Sequence, residues 1–165
     1  MRILVVALAL WCAPALAFDV TPRGAVTLPV AQTNGTIDGL MILCRRDFVL
    51  GVLTPARRLR SDQEPGEEER LFDTVFGRAV AVVDERRFDL GAGGANDDAT
   101  VYLFAKDREA FLAALHTGRD LALAFDLLPE DAKDGAGFET VATFTIAGLG
   151  AALQDAGRAC RVPEG

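Results

Sequence analysis

The sequence predicts an α+β domain: an antiparallel or mixed β-sheet or sandwich of about seven strands with two helices, its C-terminal helix disulfide-linked to an early strand. Three observations carry that expectation. Short apolar or alternating runs recur between turn-forming residues, two longer stretches repeat apolar residues at spacings of three and four, and cysteines stand at both ends of this series. An all-β sandwich with one trailing helix is the rival architecture.

The first strand is AVTLPVA, residues 25–31, read as an edge strand because Pro29 cannot donate a ladder hydrogen bond. GLMILCRRDFVLGVL, residues 39–53, holds two apolar runs separated by Arg45, Arg46 and Asp47, the spacing of a hairpin. Leu40, Ile42 and Cys44 share one face by the strand period of two, so Cys44 points where its apolar neighbours point. RAVAVVDE, 78–85, reads as a buried strand, FDLGAGGANDDA, 88–99, as a glycine-rich loop, and TVYLFA, 100–105, as a strand of branched and aromatic residues.

KDREAFLAALHTG predicts the first helix: Asp107 caps its start, Phe111, Leu112 and Leu115 form its apolar stripe, and Gly118 ends it. DLALAFDLL, 120–128, alternates Leu121, Leu123, Phe125 and Leu127 with Ala122, Ala124 and Asp126, the pattern of a strand buried on one face. FETVATFTIAG follows, with Ala142, Phe144 and Ile146 on one side. The last helix starts near Gly148, and Leu149, Ala152, Leu153, Ala156 and Cys160 fall on a single face. Cys44 and Cys160 thus both point into the layer between helix and sheet. A bridge between them closes a loop of 116 residues (160 − 44), worth at most about 4–5 kcal/mol by chain entropy.

The start of the chain, MRILVVALALWCAPALAFD, has the layout of a secretory signal peptide: Arg2, an apolar run, then small residues at Ala15 and Ala17. Residues 1–17 are expected to be cleaved, leaving 18–165 as a single globular domain. The alternative, a retained anchor, is interrupted by Pro14 and is shorter than the roughly 20 residues that cross a bilayer. Trp11 before Cys12 argues against a lipid-modified cysteine. Loss of Arg2 changes 17 basic and 24 acidic residues to 16 and 24, a formal charge of −8, which disfavours nucleic acid as a partner. Only Cys44 and Cys160 then remain, and an even pair in an oxidising compartment reads as one disulfide, with a reactive thiol as the other reading.

The chemical inventory is thin. The single serine, Ser61, lies in the acidic run SDQEPGEEER, 61–70, and the single histidine, His116, closes a helix, so a Ser–His–acid site is not expected. His116 reads as a helix-end residue facing the negative pole of its helix. A zinc site lacks ligands. Asp89, Asn96, Asp97 and Asp98 could in principle hold a hard cation, but without the EF-hand spacing they read as a turn with capping residues, and no metal is expected. GAGG lacks the helix start and partner residues of a phosphate loop. Arg57, Arg58 and Arg60 in PARRLR read as local partners of the acidic run. The alternatives are an anion-receiving arginine patch and, at Glu67, Glu68 and Glu69, a docking surface for a basic protein.

Two segments, GLMILCRRDFVLGVL and FTIAGLGAALQDAGRAC, resemble small exported bacterial proteins of the type VI secretion-associated TagO-like kind, and more distantly invasion-associated locus B proteins. The resemblance implies a periplasmic accessory or envelope protein, a paired Cys44 and Cys160, and no catalytic residue. The expectation is therefore a periplasmic or secreted binding protein, not an enzyme, with no cofactor. Its partner would be another envelope or secreted protein, and it would keep no stable membrane anchor. The alternative is a carboxylate-dependent hydrolase of envelope polysaccharide, which requires two acids facing each other across a cleft.

Overall fold

The computed structural model describes residues 18–53, 78–95, 100–126 and 137–162. The expected signal peptide, PARRLR, Ser61, the acidic run with Glu67, Glu68 and Glu69, the residues Asn96, Asp97 and Asp98, and Leu127 lie outside them. The strands are β1 (Asp19–Val20), β2 (Ala25–Leu28), β3 (Val30–Thr33), β4 (Gly39–Leu43), β5 (Val49–Leu53), β6 (Ala79–Val83), β7 (Arg86–Ala95), β8 (Thr100–Ala105), β9 (Asp120–Asp126) and β10 (Phe138–Thr145). The helices are α1 (Arg108–Thr117) and α2 (Leu149–Ala156), and a 3₁₀ turn follows at Arg158–Cys160.

These ten strands form one sheet in the order β1-β2-β4-β5-β8-β7-β6-β9-β10-β3, and every ladder is antiparallel. The chain steps from β2 to β3 across Pro29 alone, although those strands hold the second and the last places in the order. Two residues of chain span about 7 Å at most. The sheet therefore curls, like an open barrel, until β2 and β3 meet at the proline; among the described residues no ladder joins β3 to β1 or β2, and only the covalent chain links the two sides.

The strand count exceeds the expected seven for three reasons. AVTLPVA is two strands, because Pro29 falls where the chain changes partner from β4 to β10. The edge reading holds for β3, last in the order and paired with β10 alone among the described residues, and fails for β2, which is flanked by β1 and β4. Asp19–Val20 adds a two-residue strand too short to show a period. FDLGAGGA is strand rather than loop: β7 continues through its glycines against β8, with a register shift between Ala92 and Gly94. The ring of Phe104 lies where a side chain at Gly93 would stand, so this glycine-rich strand is covered by an aromatic from its neighbour.

The inner face is apolar throughout. Val26, Leu40, Ile42, Leu50, Val52, Val101, Leu103, Leu121, Leu123 and Phe125 are fully enclosed, and α1 adds Phe111, whose ring meets Phe48 at 5.8 Å and Phe88 at 5.1 Å between centroids. Asp107 caps α1 by accepting a hydrogen bond from the Ala110 amide at 3.1 Å, as its position implies. On β9 the expected one-sided burial holds for Leu121, Leu123 and Phe125. Ala124 and Asp126, on the other face, are buried too.

Strand registers place the β4–β5 turn, the β6–β7 turn, the end of β8, the start of β9 and the end of β10 at one end of the barrel. The helices and the C-terminal turn close that end. Cys44, one residue beyond β4, is bonded to Cys160 with their Cα atoms 5.2 Å apart. The bridge joins early strand to C-terminal region as expected, but Cys160 belongs to the 3₁₀ turn, because α2 stops at Ala156 and Gly157 extends the chain. At Gly157 a Cβ would overlap the carbonyl oxygen of Cys44, so the two backbones touch beside the disulfide.

Gly157→Ala should therefore lower stability by about 1–3 kcal/mol, the usual cost of overpacking. Gly91→Ala, where an added Cβ meets nothing within 4 Å, should stay within about 0.5 kcal/mol of the parent. Urea denaturation of both variants under non-reducing conditions checks the contrast.

Candidate functional site

The residues with the most reactive side chains converge on the closed end, where each is engaged in holding the fold. Cys44 and Cys160 are fully buried in their bridge. Nε2 of His116 lies 2.7 Å from the carbonyl oxygen of Cys160. A carbonyl only accepts, so this nitrogen carries the proton and donates. From the opposite end of the same helix, Arg108 donates to the carbonyl of Ala159 at 2.7 Å. The basic side chains of α1 thus hold two consecutive carbonyls of the C-terminal turn. Gly150 lets α2 approach: a Cβ there would stand 2.6 Å from the His116 carbonyl oxygen. The expected helix-end histidine is a clamp on the turn that carries Cys160.

Three of the described carboxylates outside the helix cap are also engaged. Asp84, at φ +52° in the β6–β7 turn, accepts from the amides of Arg119 and Asp120 at 3.1 Å each and so fixes the start of β9. Asp89 faces Arg87 at 3.8 Å and Lys106 at 3.9 Å, which makes it a surface ion-pair partner, while the other residues of the conceivable cation loop lie outside the described residues. Asp126 is fully buried and pairs through Oδ2 with Arg78 at 3.0 Å, its Oδ1 having no hydrogen-bond partner among the described residues. Among the described residues no group of three or more His, Cys, Asp or Glu could hold a metal ion.

A shallow trough of about 290 Å³ lies elsewhere, lined by Gln32, Thr33, Asn34, Thr140, Val141, Ala142 and Thr143. Its origin is the irregular β3–β10–β9 pairing. The register slips between Thr140 and Ala142 on the β9 side and between Thr143 and Phe144 on the β3 side, and such bulges bend a strand and re-aim its side chains. Val141 and Ala142 are both buried in the core beneath the trough. The turn after β3 builds one wall: Thr33 Oγ1 donates to the Ile37 carbonyl at 2.8 Å and accepts from the Gly35 amide at 3.0 Å. Asn34 Oδ1 accepts from the Thr36 amide at 2.9 Å, and the Asn34 amide donates to the Val141 carbonyl at 3.0 Å, tying the turn to the bulge.

The hydroxyls of Thr140 and Thr143 and the amide group of Gln32 make no side-chain hydrogen bond among the described residues, and the nitrogen of the Asn34 side chain is likewise uncommitted. Among the described residues no charged side chain lines the trough. None of these residues belongs to a recognisable catalytic or ligand pattern, although the Asn34–Gly35 pair is a turn signal in its own right.

No protein-family model matches the sequence, and no curated protein matches it. Among solved structures the chain is similar to invasion associated protein b from Bartonella henselae, with 15% sequence identity and a TM-score of 0.47, over 84% of this chain and 89% of that one. No helix among the described residues is long and apolar enough to cross a membrane.

If α1 holds the C-terminal turn, the double variant Arg108→Ala, His116→Ala should expose the enclosed disulfide more often, because two hydrogen bonds that resist local opening are gone. Dithiothreitol should then reduce the bridge several-fold faster than in the parent, followed by mass spectrometry of alkylated samples. An unchanged rate would mean that the clamp does not restrain the turn.

Proposed function

We propose that this chain is an exported protein of the bacterial envelope, periplasmic or secreted, that acts by binding another envelope component and performs no chemistry of its own. The observation that carries the reading is the engagement of the reactive side chains: the single histidine and both cysteines of the expected mature chain are joined at one structural junction. The free polar groups of the trough are neutral hydroxyls and amides, suited to recognition. Export is supported by the signal-peptide layout of residues 1–17 together with a buried disulfide, which persists in oxidising compartments. The TagO-like motifs at 39–53 and 144–160 support a finer version, in which the partner belongs to a secretion apparatus.

Expression of the full chain in a Gram-negative host, followed by osmotic shock, tests the address and the redox state together. The released protein should begin at Phe18, weigh two hydrogen atoms less than its reduced form, and take up no alkylating reagent before reduction. Cross-linking in intact cells should then join it to an envelope component. Retention in the cytoplasm with both thiols labelled overturns the reading. So does turnover of envelope polysaccharide that disappears when one carboxylate is replaced.

A further inference from the structure

We infer that the closed end of the barrel docks reversibly on an anionic lipid surface through a collar of arginines around the disulfide. This inference rests on the reading of the protein as an exported binding module and names the envelope component it meets. Five arginines stand on the three chain segments that touch at the bridge: Arg23 beside Gly24, Arg45 and Arg46 directly after Cys44, and Arg158 and Arg161 to either side of Cys160. Backbone contacts bring these segments together. The Cys44 amide donates to the Gly24 carbonyl at 2.8 Å, a Cβ at Gly24 would stand 3.9 Å from the Arg45 amide nitrogen, and one at Gly157 would overlap the Cys44 carbonyl oxygen. All five arginines are exposed, and none forms an ion pair among the described residues. Of the five, Arg161 alone makes a side-chain hydrogen bond there, from Nε to the Gln154 carbonyl at 3.4 Å. The acids on the same segments are Asp47 and Asp155, so positive charge is in surplus.

Such a gathering of like charges opposes folding unless an anion meets it, and the chain's own acid excess is rooted elsewhere. Segments 54–77, 96–99 and 127–136 carry eleven acidic and five basic residues. Each is joined to the sheet at the end away from the bridge, where β5, β7 and β9 finish and β6, β8 and β10 begin. Strands of five to seven residues set the two ends about 15–20 Å apart, beyond the Debye length of about 8 Å at physiological ionic strength. A flat anionic surface approaching the closed end therefore meets the arginines first, and the formal charge of −7 does not keep it away. Guanidinium forks match the oxygens of headgroup phosphates. Exposed apolar side chains adjoin the cations, Pro22 next to Arg23 and Val162 next to Arg161, and suit the boundary between headgroups and acyl chains. An acidic peptide adding to the sheet would need a free strand edge, but β2 and β4, which lead into the collar, are each paired on both sides.

The test is flotation of the exported chain, disulfide intact, with vesicles of phosphatidylcholine alone and with vesicles of phosphatidylcholine and phosphatidylglycerol in equal parts. The chain should float with the anionic vesicles at about 0.05 M salt, be released at about 0.5 M, and ignore the neutral ones. The double variant Arg45→Gln, Arg46→Gln should weaken association about tenfold or more, since each basic group near such a surface contributes roughly fivefold. Arg23→Gln, Arg158→Gln should do the same from two other segments. Neutralising the acidic run in Glu67→Gln, Glu68→Gln, Glu69→Gln should change binding by no more than about threefold, because that run joins the sheet at the far end. Urea midpoints of the arginine variants, unchanged for exposed side chains without partners, separate lost docking from lost folding. Equal flotation with both kinds of vesicle, indifference to salt, or full affinity in both arginine variants overturns the inference. So does a gain of about tenfold or more in the glutamate variant, which would mean that the acidic run covers the collar. Salt-sensitive binding to poly-glutamate without flotation would assign the collar to an acidic protein and overturns it too. If the protein is still exported, oxidised and cross-linked to an envelope component, the inference falls alone. If it is reduced and retained in the cytoplasm, the reading beneath it has failed first.

Discussion

The backbone contact at the disulfide is the constraint from which the closed end of the barrel follows. Cys44 and Cys160 can meet only because three main-chain segments pack without side chains between them. The amide of Cys44 donates to the Gly24 carbonyl at 2.8 Å, a Cβ at Gly24 would stand 2.7 Å from the Ala156 carbonyl oxygen, and Gly157 lies against the Cys44 carbonyl. The turn before β2, the turn after β4 and the end of α2 therefore share one small volume. A covalent bond there closes a loop of 116 residues, and Arg108 and His116 tie α1 to the same turn. Both helices are held over the barrel mouth by a junction to which they add few apolar contacts beyond their own stripes.

At the side of the curled sheet the seam is covalent and carries no ladder among the described residues. One strand serves two neighbours, with β2 pairing β4 and β3 pairing β10, and the exchange occurs at the residue that has no amide hydrogen to contribute. A proline inside a strand normally costs a ladder bond. At a point of partner exchange little is forfeited, since neither ladder includes that residue. The bulges of β10 belong to the same geometry: they accommodate the bend that lets β10 lie between β9 and β3, and they open the trough.

Local periodicity was enough to place much of this in advance. The 39–53 hairpin, β6, β8, α1 with its Asp107 cap, β9, β10 and the inward stripe of α2 are all legible from spacing alone, whereas the cysteine pair is legible from the cysteine count and not from the helix stripe, which stops at Ala156 before Cys160. What escaped has a common physical cause: it depends on a partner strand. β7 reads as a loop because its glycines have no propensity of their own, and only Phe104 on the neighbouring strand supplies the missing cover. The split at Pro29 depends on which strands lie to either side of it. Burial of Ala124 and Asp126 depends on what covers the outer face of β9 and on Arg78, since alternation within β9 assigns them to solvent. The trough is the extreme case, being made of ordinary threonines and amides that become a group only when β3 and β10 pair out of register.

This division also bears on where recognition can reside in such a fold. Side chains with strong intrinsic chemistry stand out in a sequence, and several of those described are held by the architecture: Asp107 in a helix cap, Asp84 in a turn, His116 and Arg108 on the C-terminal carbonyls, the cysteines in a bridge. A group engaged in this way is rigid and enclosed, qualities that oppose its use on a ligand.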